Sequence, residues 1–445
     1  MSNRNSESSS NSNRRTFLKA GAAAAAIAAS ANATTASAKG QFFVSESAPK
    51  SKDSVNIALI GCGGRGNGAV RDNLSINENV RVVALADLNM KKCASTKAAV
   101  EKNFPKAAAV EERNMHDGLE GYKKVLENKE VDLVLFATSP GFRPYHIEEA
   151  VDAGKHVFAE KPTCVDPTGY RVCLAAHEKA EKNKTAIVTG TQYRRQTNYL
   201  GAVKKIREGA IGDIVSATTR YCSSGIWYRN RLEGMNDVEY QLFNWMHFIW
   251  LSGDQIAEQA VHNIDAMNWV MGSNPESAYG SGGRFTRPED SEMWDNMQID
   301  YVYPGKRVCS FMCRQIPRTK GDNGNYIYGT EGTCYIAAMS GGSKIYDRKG
   351  KEIWSMKGSI ADAYRREHKD LVDSIRGGKP IVELKQTADS SLTAVMGRLA
   401  AYTGQLVTWD FVTKKSKLDL FPKNLTMDSK LPEPEYAVPG TTKLI

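Results

Sequence analysis

From Val55 onward, hydrophobic and polar positions follow two alternating patterns. Short apolar runs, typical of buried strands, are separated by longer segments in which apolar residues recur with helical spacing. The predicted strands are Val55–Ile60, Val80–Ala86, Val131–Ala137, His156–Phe158 and Ala186–Thr189. The clearest predicted helices are Gly121–Asn128, Tyr145–Ala153 and Pro167–Lys182. This alternation predicts a doubly wound α/β domain with a parallel sheet and helices on both faces.

The pattern changes after about Gly190, where strands begin to follow one another with turn residues between them. The predicted strands there are Ile214–Ser223, Ser277–Phe285, Asn296–Tyr303, Arg307–Gln315, Tyr326–Ala337 and Lys344–Asp347. The predicted helices are Asn198–Glu208, one near Ile256–Met271, and two that return towards the first domain, Ala361–Arg376 and Thr387–Thr403. We therefore expect a second, α+β domain with a large open, mostly antiparallel sheet.

A glycine cluster follows the first predicted strand. Gly61, Gly63 and Gly66 fit the pattern G-x-G-x-x-G, with Gly64 and Arg65 between them. Backbone amides at the start of a helix favour an anionic pyrophosphate, because the helix dipole is positive at that end. A strand before the cluster and a helix after it are the context that this motif requires. The cluster therefore predicts a Rossmann dinucleotide site.

An acidic residue, Asp87, closes the second predicted strand, 21 residues past Gly66. At this position a carboxylate accepts hydrogen bonds from the ribose hydroxyls and repels a 2′-phosphate. NAD is therefore the expected cofactor. NADP stays open as an alternative, because Lys91 and Lys92 are close to the acid.

The segment Glu160-Lys161-Pro162 comes just after the short strand His156–Phe158. The carboxyl ends of parallel strands form the ligand-binding edge of such a sheet. A lysine placed there can hydrogen-bond a substrate hydroxyl and polarise its oxygen. Lys161 is therefore a candidate catalytic residue.

Three polar residues recur along the predicted helix near Ile256–Met271. Glu258, His262 and Asp265 have the spacing i, i+4 and i+7, which places them on one face. Charged side chains on an otherwise apolar helix are unfavourable unless they are paired or face a cleft. Histidine suits proton transfer near neutral pH. We therefore expect this face to line the active site.

In their order along the chain, these segments resemble the Gfo/Idh/MocA oxidoreductases, over about residues 54–420. The residues that carry the resemblance are Gly61–Gly66, Asp87, Thr138-Ser139-Pro140 with His146, Gly154–Val157 with Glu160–Pro162, and Tyr328–Gly332. The resemblance implies a Rossmann domain followed by an α/β domain whose open sheet often forms oligomer contacts, so a homo-oligomer is expected. It also implies an NAD(P)-dependent enzyme that acts on a sugar, cyclitol or related polyol.

The resemblance also implies roles for individual residues. Lys161 is expected to be catalytic and His262 to accept or donate a proton. Glu258 stands where the family often has aspartate, and its expected role is to orient the substrate. The implied cofactor-binding residues are Gly61, Gly63, Gly64, Arg65, Gly66, Asp87, Thr138, Pro140, His146, Glu160 and Lys161.

Substrate contacts are expected where the chain leaves the first domain and in the aromatic loop beyond it. Tyr193 and Arg194 occupy a position at which the family often contributes an aromatic or basic residue to the cleft. Asp265 is expected to assist, and the indoles of Trp227 and Trp245 are suited to stack on a sugar ring.

The N-terminal segment is predicted to be an export signal. Arg14-Arg15-Thr16-Phe17-Leu18-Lys19 precedes an alanine-rich stretch that ends in Ala36-Ser37-Ala38, and it resembles the bacterial twin-arginine signal. That route carries folded proteins, so we expect a tightly held cofactor and a periplasmic or other extracytoplasmic location. The predicted segments are a signal (1–38), a linker (39–53), a Rossmann domain (54–190), an α+β substrate and oligomerisation domain (191–420) and an extended arm (421–445).

The composition restricts which kinds of binding partner are expected. The chain has 445 residues and a formal net charge of +9, but its basic residues are scattered rather than clustered with aromatics, so nucleic acid is not expected. No stretch is long and apolar enough to span a membrane after cleavage of the signal. None of the eight cysteines forms C-x-x-C, so we expect reduced, buried thiols and no metal site.

The sequence therefore predicts an exported NAD(H)-dependent oxidoreductase that transfers hydride at a carbinol carbon. Its partners are a small carbohydrate and the twin-arginine export machinery. Two alternatives stay open. One is a redox-neutral glycosidase that retains NAD and oxidises the sugar only transiently. The other is a non-catalytic sugar-binding protein, because a fold does not decide between catalysis and binding.

Overall fold

The structure is a computed structural model that describes residues 53–445. The predicted export signal, and all of the predicted linker except its last residue, lie outside the described residues. Among residues 53–445, no helix combines the length and apolarity needed to cross a bilayer.

Fifteen strands are present in the described part of the chain. They are β1 (Val55–Ile60), β2 (Val80–Asp87), β3 (Met115–Asp117), β4 (Leu133–Phe136), β5 (His156–Ala159), β6 (Ile187–Thr189), β7 (Ile214–Ser223), β8 (Ser277–Gly283), β9 (Asn296–Tyr303), β10 (Arg307–Gln315), β11 (Asp322–Gly329), β12 (Gly332–Ala337), β13 (Ser343–Asp347), β14 (Glu352–Met356) and β15 (Val407–Thr408).

Twelve α-helices accompany these strands in the described residues. They are α1 (Gly64–Leu74), α2 (Met90–Asn103), α3 (Gly121–Glu127), α4 (Arg143–Asp152), α5 (Pro167–Asn183), α6 (Thr197–Arg207), α7 (Asp237–Phe243), α8 (Ile249–Ser252), α9 (Asp254–Glu258), α10 (Val261–Met271), α11 (Ile360–Arg376) and α12 (Leu384–Thr403).

The first six strands form one sheet in the order β3-β2-β1-β4-β5-β6, and every neighbouring pair is parallel. Its central strand β1 is buried on both faces. Ile57 and Leu59 belong to one apolar cluster, whereas Ala58 and Ile60 belong to another. Because neighbouring side chains of a strand point to opposite faces, the apolar run at β1 fits a sheet covered on both sides. The predicted doubly wound domain is confirmed.

The other nine strands form a second sheet in the order β14-β13-β12-β11-β7-β10-β9-β8-β15. Only β7 and β10 are parallel within it, and the remaining pairs are antiparallel. Along β10 the cysteines Cys309 and Cys313 both face the core, as their spacing predicts. The predicted mostly antiparallel sheet is therefore confirmed.

The two long C-terminal helices pack against the parallel-sheet half of the protein. On α11, Leu371, Val372 and Ile375 join the apolar cluster that contains Ile57 and Leu59 of β1. Helix α12 is buried from Thr387 to Thr403 and packs on α5. The predicted return of these helices to the first domain is confirmed. Residues 421–445, predicted as an extended arm, contain no helix or strand.

Several elements differ from the sequence prediction, among them α7, α8 and β15, which the sequence pattern does not predict. The strands β3 and β14 are also absent from the prediction. Both lie at sheet edges and neither contains a fully buried residue. The single helix predicted near Ile256–Met271 is wrong, because it is divided into α9 and α10. The amide of Ala260 there donates to the carbonyl oxygen of Gln255 at 3.0 Å, five residues back instead of four.

Candidate active site

The glycine cluster forms a tight turn between β1 and α1. Gly61 has a φ of +96°, and a Cβ there would lie 2.7 Å from the carbonyl carbon of Ala137 on the neighbouring strand. A Cβ on Gly66 would overlap the carbonyl oxygen of Gly61. Side chains at either position would therefore push the turn away from the sheet. Gly63, which caps α1, has open space instead, with no atom within 4 Å of the Cβ position.

Asp87 lies at the carboxyl end of β2, directly beside this turn. One of its carboxylate oxygens accepts a hydrogen bond from the backbone amide of Cys62 at 2.8 Å. The other accepts from the amide of Asn89 at 3.1 Å and lies 3.6 Å from the ammonium of Lys92. The acid expected to meet a ribose is therefore held against the glycine turn, with a cation next to it.

A cavity of about 180 Å³ opens between the glycine turn and the second half of the protein. It is lined by Ile60, Gly61, Gly63, Ala86, Asp87, Leu88, Lys92, Gly118, Leu119, Tyr122, Ala137, Thr138, Ser139, Phe142, His146, Leu242 and Trp245. Of the predicted cofactor residues, Gly61, Gly63, Asp87, Thr138 and His146 lie here. The other predicted cofactor residues do not line this cavity: Gly64, Arg65, Gly66, Pro140, Glu160 and Lys161.

His146 is buried among aromatic rings at the wall of this cavity. Its ring lies 4.2 Å from that of Tyr122 and 5.6 Å from that of Phe142, measured between centroids. Its Nδ1 lies 3.3 Å from the hydroxyl of Thr138. Burial, reinforced by nearby positive charge, lowers the pKa of His146 to about 3. The imidazole is therefore neutral at physiological pH and serves as part of the wall.

Arg143, which the sequence reasoning missed, joins the cavity wall to the Glu-Lys-Pro segment. Its guanidinium donates to the carbonyl oxygens of Thr138 at 2.7 Å, Lys161 at 2.6 Å and Pro162 at 2.8 Å. The side chain is buried, and burial lowers its pKa to about 10, so it stays charged at neutral pH. One buried cation therefore fixes the backbone on both sides of the site.

Glu160 connects this segment to the first turn of α1. The carboxylate accepts a hydrogen bond from the guanidinium of Arg65, which also lies 4.4 Å above the ring of Tyr364 on α11. Burial opposes the charge of Glu160, but the cations Arg65, Lys161 and Arg143 outweigh it and lower the pKa of Glu160 below its ordinary value. Glu160 is thus an ionised structural partner of Arg65. Tyr364 was not predicted from the sequence.

Lys161 is paired with Glu258 across the two halves of the protein. The ammonium donates to Oε1 of Glu258 at 3.0 Å and also to the backbone carbonyl of the same residue. Both side chains are mostly buried. The Lys161–Pro162 peptide bond is cis. The structure thus brings together two of the three residues predicted to be catalytic.

His262 lies at the start of α10, close to this pair. Its ring centroid is 5.3 Å from that of Tyr193, and its Nδ1 is buried without a hydrogen-bond partner among residues 53–445. Burial and the positive charges of Lys161 and Arg65 lower the pKa of His262 well below its ordinary value. The imidazole is therefore neutral at pH 7 and able to accept a proton.

Asp265, predicted to share a face with Glu258 and His262, is engaged elsewhere. Its carboxylate accepts two hydrogen bonds from the guanidinium of Arg194, at 2.8 Å and 2.9 Å, and one from the hydroxyl of Ser390 at 2.8 Å. Both members of the ion pair are buried. Two predicted substrate residues therefore bind each other instead of presenting free polar groups.

The other two predicted substrate residues differ in exposure. Tyr193 is buried, stacks on Tyr199 at 4.5 Å and accepts a hydrogen bond from the amide of Met339 at 3.2 Å. Trp227 is 37% exposed, and the guanidinium of Arg229 lies 4.2 Å above its ring. Tyr193 therefore contacts the ring of His262 from within the core, whereas Trp227 is partly exposed.

Two other features of the described residues bear on the chemistry. No group of three or more His, Cys, Asp and Glu side chains within 53–445 is arranged to hold a metal ion. All eight cysteines are free and buried, as predicted. Burial raises the pKa of Cys309 and that of Cys334 to about 12, so both stay protonated thiols in the core.

Family models match both halves of this architecture. A model described as an oxidoreductase family with an NAD-binding Rossmann fold matches residues 55–189. The model of the GFO/IDH/MocA C-terminal domain matches residues 199–335. The chain belongs to the GFO/IDH/MocA oxidoreductase family. This confirms the resemblance inferred from the glycine cluster and the Glu-Lys-Pro segment.

Three similar proteins share between 16% and 32% of aligned residues with this chain. Inositol 2-dehydrogenase 3 of Saccharopolyspora erythraea is 22% identical over 80% of this chain and 90% of its own. Glycosyl hydrolase family 109 protein 1 of Bacteroides fragilis is 32% identical, but over only 29% of this chain and 27% of its own. Levoglucosan dehydrogenase, solved in complex with NADH and levoglucosan, superposes with a TM-score of 0.64 at 16% identity, over 80% of this chain and 99% of its own.

The residues at the glycine turn of this GFO/IDH/MocA protein fit a dinucleotide. Gly61 and Gly66 have the close backbone contacts that the motif requires, and the open space at Gly63 leaves the start of α1 accessible to a phosphate. Asp87 supplies the acid at the end of β2. The residues that would hold NAD are therefore Gly61, Gly63, Gly64 and Asp87, and Thr138 and His146 line the same cavity.

Proposed function

We propose that this protein is an exported NAD(H)-dependent oxidoreductase that acts on a carbinol carbon of a sugar, cyclitol or related polyol. The observation that carries the proposal is the pairing of Lys161 with Glu258 beside the neutral imidazole of His262. When bound, NAD supplies the hydride acceptor. Relatives named as inositol and levoglucosan dehydrogenases support the substrate class.

Each of the three residues has a separate task in this proposal. Lys161 is a hydrogen-bond donor and stabilises the negative charge that develops on the substrate oxygen as its proton leaves. His262 accepts that proton, because its imidazole is neutral at pH 7 and its buried Nδ1 has no hydrogen-bond partner among the described residues. Glu258 holds the ammonium of Lys161 in place and orients the substrate hydroxyl.

Two alanine variants test the catalytic assignment. Lys161→Ala and His262→Ala should each lower kcat roughly 10²–10⁴-fold, as expected for loss of a positioned acid–base group. Matched controls are Lys204→Ala and His177→Ala, which alter a lysine and a histidine on other helices, α6 and α5. Wild-type turnover in both active-site variants, measured on a panel of sugars and cyclitols, would falsify the assignment.

A second candidate function is a redox-neutral glycosidase that retains its NAD. The relative named as a family 109 glycosyl hydrolase favours it, since that protein shares 32% identity over part of this chain. The ratio of NADH to product distinguishes the two functions. A dehydrogenase accumulates NADH in proportion to product, whereas a glycosidase cleaves a glycoside at constant NAD. Bound NAD with no turnover across the panel supports a sugar-binding protein instead.

The export proposal rests on the paired arginines Arg14 and Arg15 and the small residues at Ala36–Ala38. Replacing both arginines with lysine should leave the full-length protein inside the cell, while the wild type is recovered from the periplasm. Free dinucleotide is scarce outside the cytoplasm, so an exported enzyme of this kind is expected to hold its cofactor tightly. Protein purified without added nucleotide should therefore contain NAD, which its absorbance after extraction would reveal.

A homo-oligomer is also part of the proposal, and NADP stays the alternative cofactor because Lys92 lies beside Asp87. Light scattering at micromolar protein concentration tests the first, since a monomer mass would contradict it. Parallel titrations with NADH and NADPH test the second. Tighter binding of NADH is expected, because the carboxylate of Asp87 repels a 2′-phosphate.

A further inference from the structure

The cavity beside the glycine turn has walls from both halves of the chain. Gly61, Asp87 and Thr138 come from the half that contains the parallel sheet. The opposite wall contains Leu242 and Trp245, which lie at the end of α7 and in the turn after it. Trp245, which the sequence suggests for stacking on a sugar ring, instead lines the cavity beside the glycine turn.

We call the segment that contains Leu242 and Trp245 the outer wall of the cavity, and polar contacts hold this segment in place. The capping box formed by Asn236 and Glu239 fixes the start of α7. Asn244, between the two lining residues, exchanges two hydrogen bonds with the backbone of Arg229, at 3.0 Å and 2.6 Å. Its side chain is fully buried. Satisfied, buried polar contacts of this kind give a segment a defined position.

The wall also rests on the loop that follows β4. Phe142 lines the cavity, and its ring contacts those of Trp250 at 5.7 Å and Phe421 at 5.3 Å. The rings of Trp250 and Phe421 contact each other at 5.9 Å. The indole of Trp250 donates to Gln241 of α7 at 2.6 Å. An aromatic cluster therefore joins α7, the loop after β4 and the C-terminal arm.

The position of the cavity indicates which part of a dinucleotide it would hold. Asp87, the acid expected at the adenosine ribose, lines it together with Leu88 and Leu119. The three residues proposed to be catalytic, Lys161, Glu258 and His262, do not line it. The cavity thus belongs to the adenosine end of the site and not to its reacting end.

We propose that Leu242 and Trp245 form the outer wall of an adenosine subsite and slow the release of the dinucleotide. This inference rests on the proposed NAD-dependent function. An indole and an isobutyl group facing a ligand add apolar contact that must be broken before the ligand leaves. Affinity differences of this kind are expressed mainly in the dissociation rate. A rigid wall from the second half of the chain would then account for cofactor retention.

Dissociation rates test the inference. NADH-loaded protein is mixed with excess NAD in a stopped-flow instrument, and the loss of NADH fluorescence is followed. Trp245→Ala should raise the dissociation rate about tenfold or more, and Leu242→Ala by a smaller factor. Trp245→Phe should stay close to wild type. The control is Leu232→Ala, an exposed leucine of the same segment that does not line the cavity.

Binding of cofactor fragments shows which end of the dinucleotide the outer wall contacts. Trp245→Ala should weaken ADP-ribose by about the same factor as NADH, while nicotinamide mononucleotide is unaffected. Unchanged NADH dissociation in Trp245→Ala and Leu242→Ala, with wild-type binding intact, overturns the inference and leaves the proposed function standing. A wild type that binds no NADH overturns both. Leu242→Ala provides the comparison if Trp245→Ala does not fold.

Discussion

Lys161 and Glu258 form a hydrogen-bonded ion pair at 3.0 Å that bridges the loop after β5 and the end of α9. The backbone carbonyl oxygen of Glu258 also accepts a hydrogen bond from the ammonium of Lys161. The break between α9 and α10 makes this second contact possible, because a carbonyl inside a continuous helix is already bonded to an amide four residues ahead. The position of the ammonium is therefore set by both the side chain and the backbone of one residue.

The length and charge of Glu258 are predicted to matter separately. Glu258→Gln keeps the length and removes the charge, so kcat should fall about tenfold, because a charge-assisted hydrogen bond is replaced by a neutral one. Glu258→Asp keeps the charge but is one methylene shorter, and we expect a larger loss. Steady-state kinetics on the best substrate measure both. Glu181→Gln on α5 is the control, and equal activity in all three variants would contradict the assigned role.

Asp87 is predicted to decide between NAD and NADP. In the structure the ammonium of Lys92 lies 3.6 Å from the carboxylate of Asp87. Asp87→Ser removes that carboxylate and leaves the ammonium free to contact a 2′-phosphate. We expect kcat/KM for NAD to fall about tenfold to a hundredfold and that for NADP to rise, since a buried or partly buried charged contact contributes about 1.5–3 kcal/mol. Asp117→Ser is the control, because Asp117 lies opposite Asp87 on the neighbouring strand β3. A NAD preference that survives the Asp87 change would reject this role.

Asp265 is predicted to stabilise the fold instead of contacting substrate. Asp265→Asn leaves the guanidinium of Arg194 buried without its counter-charge, which should lower the free energy of unfolding by about 3–5 kcal/mol. Urea titration measures this loss. The matched control is Asp322→Asn, whose partner Arg220 is on the surface and whose effect should stay below about 1 kcal/mol. A stable Asp265→Asn protein with a raised KM would instead support the original substrate role.

His368 on α11 is predicted to make the fold acid-sensitive. Burial first, and the charges of Arg65 and Arg195 second, lower its pKa from 6.5 to about 3. Below about pH 6.5 the unfolded chain therefore binds a proton that the folded chain refuses until about pH 3. Stability is lost as the pH falls through that window, by about 1.4 kcal/mol per pH unit for this residue.

His368→Leu removes this proton-linked loss. Neither ring nitrogen of His368 has a hydrogen-bond partner in the described part of the chain, so leucine leaves no new unpaired group. Between pH 7 and pH 5 the wild type should lose about 2 kcal/mol more than the variant, as measured by urea unfolding at each pH. Parallel pH profiles for the two proteins would show that His368 is not held neutral in the folded state.

Much of the fold follows from local patterns. The bounds predicted for β1, β7, β9 and β10 agree with the structure. The strand β1 is an apolar run, whereas β9 and β10 alternate between buried and more exposed positions. The edge strands β3 and β14 were not predictable in this way, because neither contains a fully buried residue. The break after Glu258 was missed for another reason. No glycine or proline marks Glu258-Gln259-Ala260, so the break is imposed by packing.

The site was predictable where a motif fixes the backbone and less so where the contacts are long-range. The glycine turn, Asp87 and the proximity of Lys161, Glu258 and His262 agree with the expectations from sequence. Arg143 was missed, because only the folded chain brings the carbonyls of Thr138 and Pro162 to its guanidinium. The pairing of Arg194 with Asp265 was missed in the same way.

The contact between Phe142 and Phe421 joins two segments that are far apart in the sequence. The parallel sheet closes through neighbouring strand–helix–strand units, whereas the aromatic cluster must wait for a segment far along the chain. Contacts between distant segments form late, because closing a long loop costs entropy before any contact offsets it. We therefore expect the local contacts of the glycine turn to form before the contact between Phe142 and Phe421. Phe142 lines the cavity and Phe421 does not, so the C-terminal segment supports a wall of the cavity from behind.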